Sequence, residues 1–219
     1  MAKSSVRARV GPVIQPLGER SARKRQAILE AATALFYERG YIGTSMDDIA
    51  AGAGVSKPTV YRFFTDKEAL LSDIVLATVS GPTDRFRSAI EQVGGSDDLE
   101  RDLERLALGY IALVTQPAVL RLRRLVIGAS HQLPDLAQAY YERGPERTLQ
   151  ALSAAFARLA GRGLLRVDDA KEAASQFAFL VIGRVLDRAL FCGDHPYRRR
   201  ELHAQAAAGV RMFLSVYRT

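Results

Sequence analysis

The chain has 219 residues, 48% of them hydrophobic and 25% charged, enough apolar material for one core or two modest ones. No run approaches the ~18 uninterrupted apolar residues a membrane span needs, and the first thirty residues lack the apolar stretch of a secretory signal. One cysteine, Cys192, excludes an internal disulfide and a cysteine-rich zinc site. The expectation is a cytoplasmic protein with no metal and no cofactor.

The formal charge is +7, and its distribution matters more than its size. Residues 1–25 hold Lys3, Arg7, Arg9, Arg20, Arg23, Lys24 and Arg25 against Glu19 alone, a local +6 that leaves +1 for the rest. Residues 1–20 contain two prolines, two glycines and no apolar period, which predicts a mobile basic arm. Such an arm attracts polyphosphate by counterion release, although a solvated tail has the same composition.

From Ser21 the pattern turns helical. Ile28, Leu29, Ala32, Leu35 and Phe36 mark one face of a helix over 21–39, which Gly40 ends. Thr44 and Ser45 offer cap hydroxyls to a second, two-turn helix carrying Met46, Ile49, Ala50 and Ala53. Gly54-Val55 breaks it, and Ser56 opens a third short helix to Phe64, with Pro58 in its first turn. Thr65 and Asp66 cap a longer fourth helix that Gly81-Pro82 kinks or interrupts. Helices are then predicted over 97–116, 118–128, 133–143, 145–162, 168–191 and 197–217, with no convincing strand. The fold class is all-α, about nine to ten helices.

Two short helices joined by a tight turn are too small to stand alone, and a helix-turn-helix, here about 45–64, supplies the missing support. Its inner faces, Ile49, Ala50, Val60 and Phe64, close on Leu35 and Phe36. Its outer face presents Lys57, Thr59, Tyr61 and Arg62, a mixture of cations and hydroxyls suited to phosphates and base edges. The residues at 40–50, 53–64 and 66–70 (GYIGTSMDDIA, AGVSKPTVYRFF and DKEAL) closely resemble the TetR family of bacterial repressors, a match over about 21–71. The resemblance implies that Thr44, Ser45, Tyr61 and Lys67 hold the DNA backbone, and that Lys57, Pro58, Thr59 and Arg62 meet the groove. Ser56 is a cap or a further DNA contact, and Arg20, Arg23 and Lys24 add contacts from the arm. The implied organisation is an arm at 1–20, a DNA-binding domain at 21–68 and a ligand-binding and dimerisation domain at 69–219.

In the second half, LRRLVI at 122–127, LPDL at 133–136, YERGPER at 141–147 and GLLRVDD at 163–169 resemble the AefR-like branch of that family. This implies a homodimer and an apolar pocket for a small lipophilic effector. Pocket candidates are Tyr110, Val114, Leu125, His131, Tyr140, Phe177 and Val181. Candidates for pairing with a second copy are Leu152, Ala155, Phe156, Leu159, Phe177, Leu180, Val181 and Val185, with intrachain core as the alternative. The function expected is a sequence-specific regulator, a homodimeric repressor released from palindromic operator DNA by that effector. An activator of the same fold and a nonspecific architectural DNA protein are the alternatives. An enzyme has little support: His131, His195 and His203 lack metal-site spacing, and no nucleophile elbow or phosphate-binding glycine loop is present.

Overall fold

The computed structural model describes residues 18–193 and 197–219; most of the basic arm, and His195, lie outside the described residues. Ten α-helices occur among them. The first four are α1 (Glu19–Arg39), α2 (Met46–Gly52), α3 (Lys57–Phe63) and α4 (Lys67–Glu91). Then come α5 (Leu99–Val114), α6 (Pro117–Ala129) and α7 (Pro134–Tyr141), a π-helical turn at Glu142–Glu146, α8 (Arg147–Gly161), α9 (Ala170–Phe191) and α10 (Arg199–Tyr217). The only departure from helix and loop among these residues is an isolated antiparallel bridge between Leu165 and Arg218.

The helix ends follow from local chemistry. Gly40 takes φ +70° at the end of α1, and Gly54 takes φ +61° in the turn between α2 and α3, a conformation that a side chain disfavours. A tight turn between two short helices can call for glycine either to let them pack closely or to free the backbone angle. Here a Cβ on Gly54 would meet nothing within 4 Å, so its backbone angle is what calls for glycine. Gly43 is the close-approach glycine, since a Cβ there would sit 2.5 Å from the Arg39 carbonyl oxygen.

Two apolar cores result, and their border is not the end of the small domain. The first joins α1 to α3 with the N-terminal half of α4 through Val79, then continues into α6 and α7 through Leu122, Leu125, Val126, Leu136 and Tyr140. The second holds the C-terminal part of α4 from Phe86, with α5, α8, α9 and α10, around the ring cluster Phe156, Phe177 and Phe213, whose centroids lie 4.9–5.3 Å apart. We call these the head-side core and the body core. Both share α4, and they part between Val79 and Phe86, where Pro82 sits. The helix runs through Pro82 instead of breaking there. Proline leaves the Thr78 carbonyl without its usual donor, while the hydroxyls of Thr78 and Thr83 return to carbonyls of the preceding turn.

The α4–α5 turn is held by Asp102, 5% exposed. Its carboxylate accepts from the Gly94 and Ser96 amides at 3.1 and 3.2 Å, from the Ser96 hydroxyl at 2.8 Å and from Arg105. Burial pushes its pKa up, but the Ser96 and Arg105 bonds outweigh that and hold it below the usual range. The stability it contributes is therefore complete above the unfolded carboxyl value of ~4 and is lost as pH falls through the lower folded value. Asp102→Asn turns amide hydrogens toward amide donors, so it should cost roughly 1–3 kcal/mol at pH 7. Thermal melts should show that difference shrinking as the pH is lowered below 4.

Candidate nucleic-acid interface and effector cavity

The small domain offers one continuous polar face, and its residues differ in how free they are. Ser45 caps α2 in a reciprocal box: its Oγ accepts from the Asp48 amide at 3.1 Å, and the Asp48 carboxylate accepts from the Ser45 amide at 3.2 Å. The Ser45 hydroxyl also bonds that carboxylate and holds its pKa down. Ser56, at the N-cap of α3, makes no cap with its side chain. Its hydroxyl pairs instead with Thr59 Oγ1 at 2.8 Å. Lys57 is exposed and engages both oxygens of Asp47, at 2.8 and 3.0 Å, which raises its pKa. Tyr61 is 45% exposed, and the Arg62 guanidinium lies 4.9 Å from the centre of the Phe63 ring. Pro58 occupies the first turn of α3, also exposed. Val60, wholly buried, anchors this helix from behind.

Two residues expected on the DNA backbone are placed differently. Thr44 is 2% exposed, and its hydroxyl donates to the carbonyls of Gly40 at 2.8 Å and Leu35 at 3.3 Å. That hydroxyl closes the end of α1 and is turned away from solvent. Lys67 donates to the Tyr41 carbonyl at 2.7 Å and the Thr44 carbonyl at 2.8 Å, with its ammonium 4.2 Å from the centre of the Tyr41 ring. Burial lowers its pKa. In this structure Lys67 pins the α1–α2 turn to the start of α4. Arg25 makes a comparable clamp, pairing with Asp73 and lying 5.2 Å from the Phe64 ring centre. Nothing in the sequence pattern marked it beyond its charge.

The C-terminal half holds a cavity of about 330 Å³ bordered by α5 to α9, with a void of about 30 Å³ beside it toward α4. Tyr110, Arg123, Tyr140 and Pro145 line both. Of the sequence candidates, Tyr110, Val114 and Tyr140 border these spaces. Leu125 faces the head-side core, Phe177 and Val181 are wholly enclosed in the body core, and His131 is exposed at the end of α6. The cavity thus lies on the seam between the two cores. The two helix irregularities, Pro82 in α4 and Pro145 in the π-helical turn, both border the void.

The pairing candidates require a correction. Leu152, Ala155, Phe156, Leu159, Phe177, Val181 and Val185 are at most 2% exposed within one chain. Leu180 is half-buried, its carbonyl accepting from Gln205 of α10 at 2.9 Å. Leu180 apart, these side chains are already packed and have no surface to give a second copy. The outer faces carry Gly183 on α9 and Ala204, Ala208 and Met212 on α10.

A short second helix, a glycine turn and an exposed third helix on a helical body define a helix-turn-helix protein. The comparisons agree. Residues 28–74 match the model of bacterial regulatory proteins of the tetR family, and residues 101–219 match the AefR-like transcriptional repressor C-terminal domain. A TetR-family transcriptional regulator from Mesorhizobium loti MAFF303099 is 40% identical, covering 92% of this chain and 100% of its own, with a TM-score of 0.82. The flavonoid-responsive regulator FrrA is 30% identical, covering 90% and 98%, with a TM-score of 0.74. The HTH-type transcriptional regulator EthR of Mycolicibacterium smegmatis is 32% identical over 112 residues, 48% of this chain and 51% of that one. The chain thus spans about half the length of the curated relatives it matches. It belongs to the TetR family of helix-turn-helix transcriptional regulators, which are not enzymes. Among the described residues no single helix is long and apolar enough to cross a membrane.

Proposed function

We propose that the protein is a homodimeric cytoplasmic repressor that holds a two-fold-symmetric operator with α3 of each copy and lets go when a small lipophilic molecule fills the seam cavity. The observation that carries the DNA-binding part is the outward face of α3. Lys57, Tyr61, Arg62 and the uncapped Ser56 hydroxyl are exposed, while Val60, wholly buried, and Phe63, partly buried, secure the helix from within. Cations and hydroxyls on a short, firmly backed helix are what groove recognition needs. A nonspecific architectural role leaves the cavity and the large helical body without a use, and activation remains the alternative within the same fold.

Release follows from how α6 is tied. Arg121 lies 5.4 Å from the Tyr37 ring centre on α1, Arg123 reaches Tyr140 on α7, and Arg124 donates to the Ala189 and Leu190 carbonyls at the end of α9. One helix therefore touches the head, the cavity and the body. A guest that moves α6 against α5 would displace α1, with Pro82 as the compliant point of α4. It can do so only by binding the DNA-incompetent arrangement more tightly.

Mutants sort the contacts. Arg62→Ala should change the ranking among duplexes, at roughly 1–3 kcal/mol for the preferred base. Asp47→Ala frees Lys57 from its partner, so it should tighten binding to all duplexes and steepen the dependence on salt by up to about one unit. Fluorescence anisotropy on a duplex panel at several salt concentrations reads both. If Arg62→Ala weakened every duplex equally, α3 would not be the reading helix.

A further inference from the structure

The polar lining of the seam cavity is one-sided. No Asp or Glu borders it or the adjoining void among the described residues. Most hydroxyls there are committed to the protein. Thr78, Thr83 and Thr148 donate to carbonyls four residues back, at 2.8, 2.8 and 3.0 Å, and Ser130 donates to Ile127 at 2.8 Å.

What stays uncommitted is donor capacity. Arg123 gives its Nε to the Tyr140 hydroxyl at 3.2 Å and makes no ion pair among the described residues, so its two terminal amino groups have no protein acceptor there. Tyr140, having accepted that bond, keeps its own proton to give. Among the described residues the hydroxyl of Tyr110, itself 5% exposed, makes no hydrogen bond, yet no fully buried polar side-chain atom is left unpartnered. The Tyr110 hydroxyl therefore opens on the cavity. Burial pushes its pKa up to about 12, which keeps it a donor at neutral pH.

We infer that the cavity binds an amphipathic organic acid, its carboxylate held by the Arg123 guanidinium and the Tyr110 and Tyr140 hydroxyls and its apolar body lying against Val126, Ile182 and Leu186. This rests on the reading of the cavity as the effector site and names the chemistry of its guest. A guanidinium fork matches a carboxylate and satisfies both its oxygens. A neutral lipophile would desolvate Arg123 without replacing its water, and a cation would be repelled. About 330 Å³ is at the small end of the ~300–1,000 Å³ of ligand pockets, which favours compact acids. The anion would also bridge the two cores, since Tyr140 belongs to the head-side core and Tyr110 to the body core.

The test is calorimetric titration of the full chain, without DNA, using naphthalene-1-acetate, 4-phenylbutyrate and decanoate, each beside its primary amide. At least one acid should bind about tenfold or more tightly than its amide, the expected scale for one charge-assisted contact. Arg123→Gln should abolish that preference, the acid losing about tenfold or more affinity relative to its amide. Tyr110→Phe, which alters no packing, should weaken the acid several-fold, with circular dichroism verifying both folds. Equal binding of acids and amides, no binding by any of the acids, or a preference that survives Arg123→Gln would overturn the inference. Operator release is measured separately. An acid that binds without loosening DNA would sink the regulatory reading and leave this site standing, whereas neutral amides that release DNA as well as the acids would do the reverse.

Discussion

Val60→Asp should abolish duplex binding while the body of the molecule stays folded. Val60 is the one buried residue of α3, with no exposed surface, and it packs in the head-side core with Ile49 and Phe64. The substitution forfeits roughly 1.5–3 kcal/mol of apolar burial and adds a carboxyl with no partner, a further cost of several kcal/mol. Together these take much of the ~5–15 kcal/mol that stabilises a domain. The body core, built on Phe156, Phe177 and Phe213, does not include this residue. Circular dichroism should show part of the helix lost and a separate cooperative melt retained. The defect should deepen as pH rises. The new carboxyl has its folded pKa raised, so the folded state binds the extra proton and loses stability once the pH removes it. Unchanged helicity with full duplex affinity would show that α3 is not held as described.

The second large effect concerns pairing. Gly183 lies on the outer face of α9, and a Cβ there would meet nothing within 4 Å in the single chain. Gly183→Arg should therefore leave the monomer intact, and better helix propensity should add up to about 1 kcal/mol. If two copies meet through this face of α9 and the Ala204, Ala208 and Met212 face of α10, the same change would place bulk and like charge between them. The expected result is a monomer by analytical ultracentrifugation, with operator affinity reduced roughly 10²–10⁴-fold because each head then binds alone. A variant that remained dimeric and bound normally would move the interface to another face.

Much of the architecture could be read directly from the residues, because breakers and caps act over a few positions. Gly40, Gly54, Pro117, Pro134 and Gly193 bound their helices nearly where expected, and α5 runs Leu99–Val114 against a predicted 97–116. What escaped the reading depended on which partner a group finds in space. The Thr44 hydroxyl and the Lys67 ammonium look free in sequence, yet both are taken by carbonyls of the α1–α2 turn. The apolar faces of α8 and α9 have the same periodicity whether they meet their own chain or a copy, which is why Phe156 and Val185 were assigned to pairing. A subtler signal was available: Gly183, a poor helix former, sits in the interior of α9. Likewise Arg123, inside the apolar run LRRLVI, was the charged residue whose neighbours could have pointed to the cavity. Gly81-Pro82 was expected to kink or interrupt the fourth helix because a proline ring is costly inside a helix, whereas α4 runs through both residues.

The central claim, that the outward face of α3 reads duplex sequence in two copies, is tested most directly by selecting bound duplexes from a random library and titrating the winners against scrambled controls. A two-fold-symmetric site preferred by roughly a thousandfold or more at physiological salt is the predicted outcome. Uniform affinity across all duplexes, or recovery of no site at all, would contradict it.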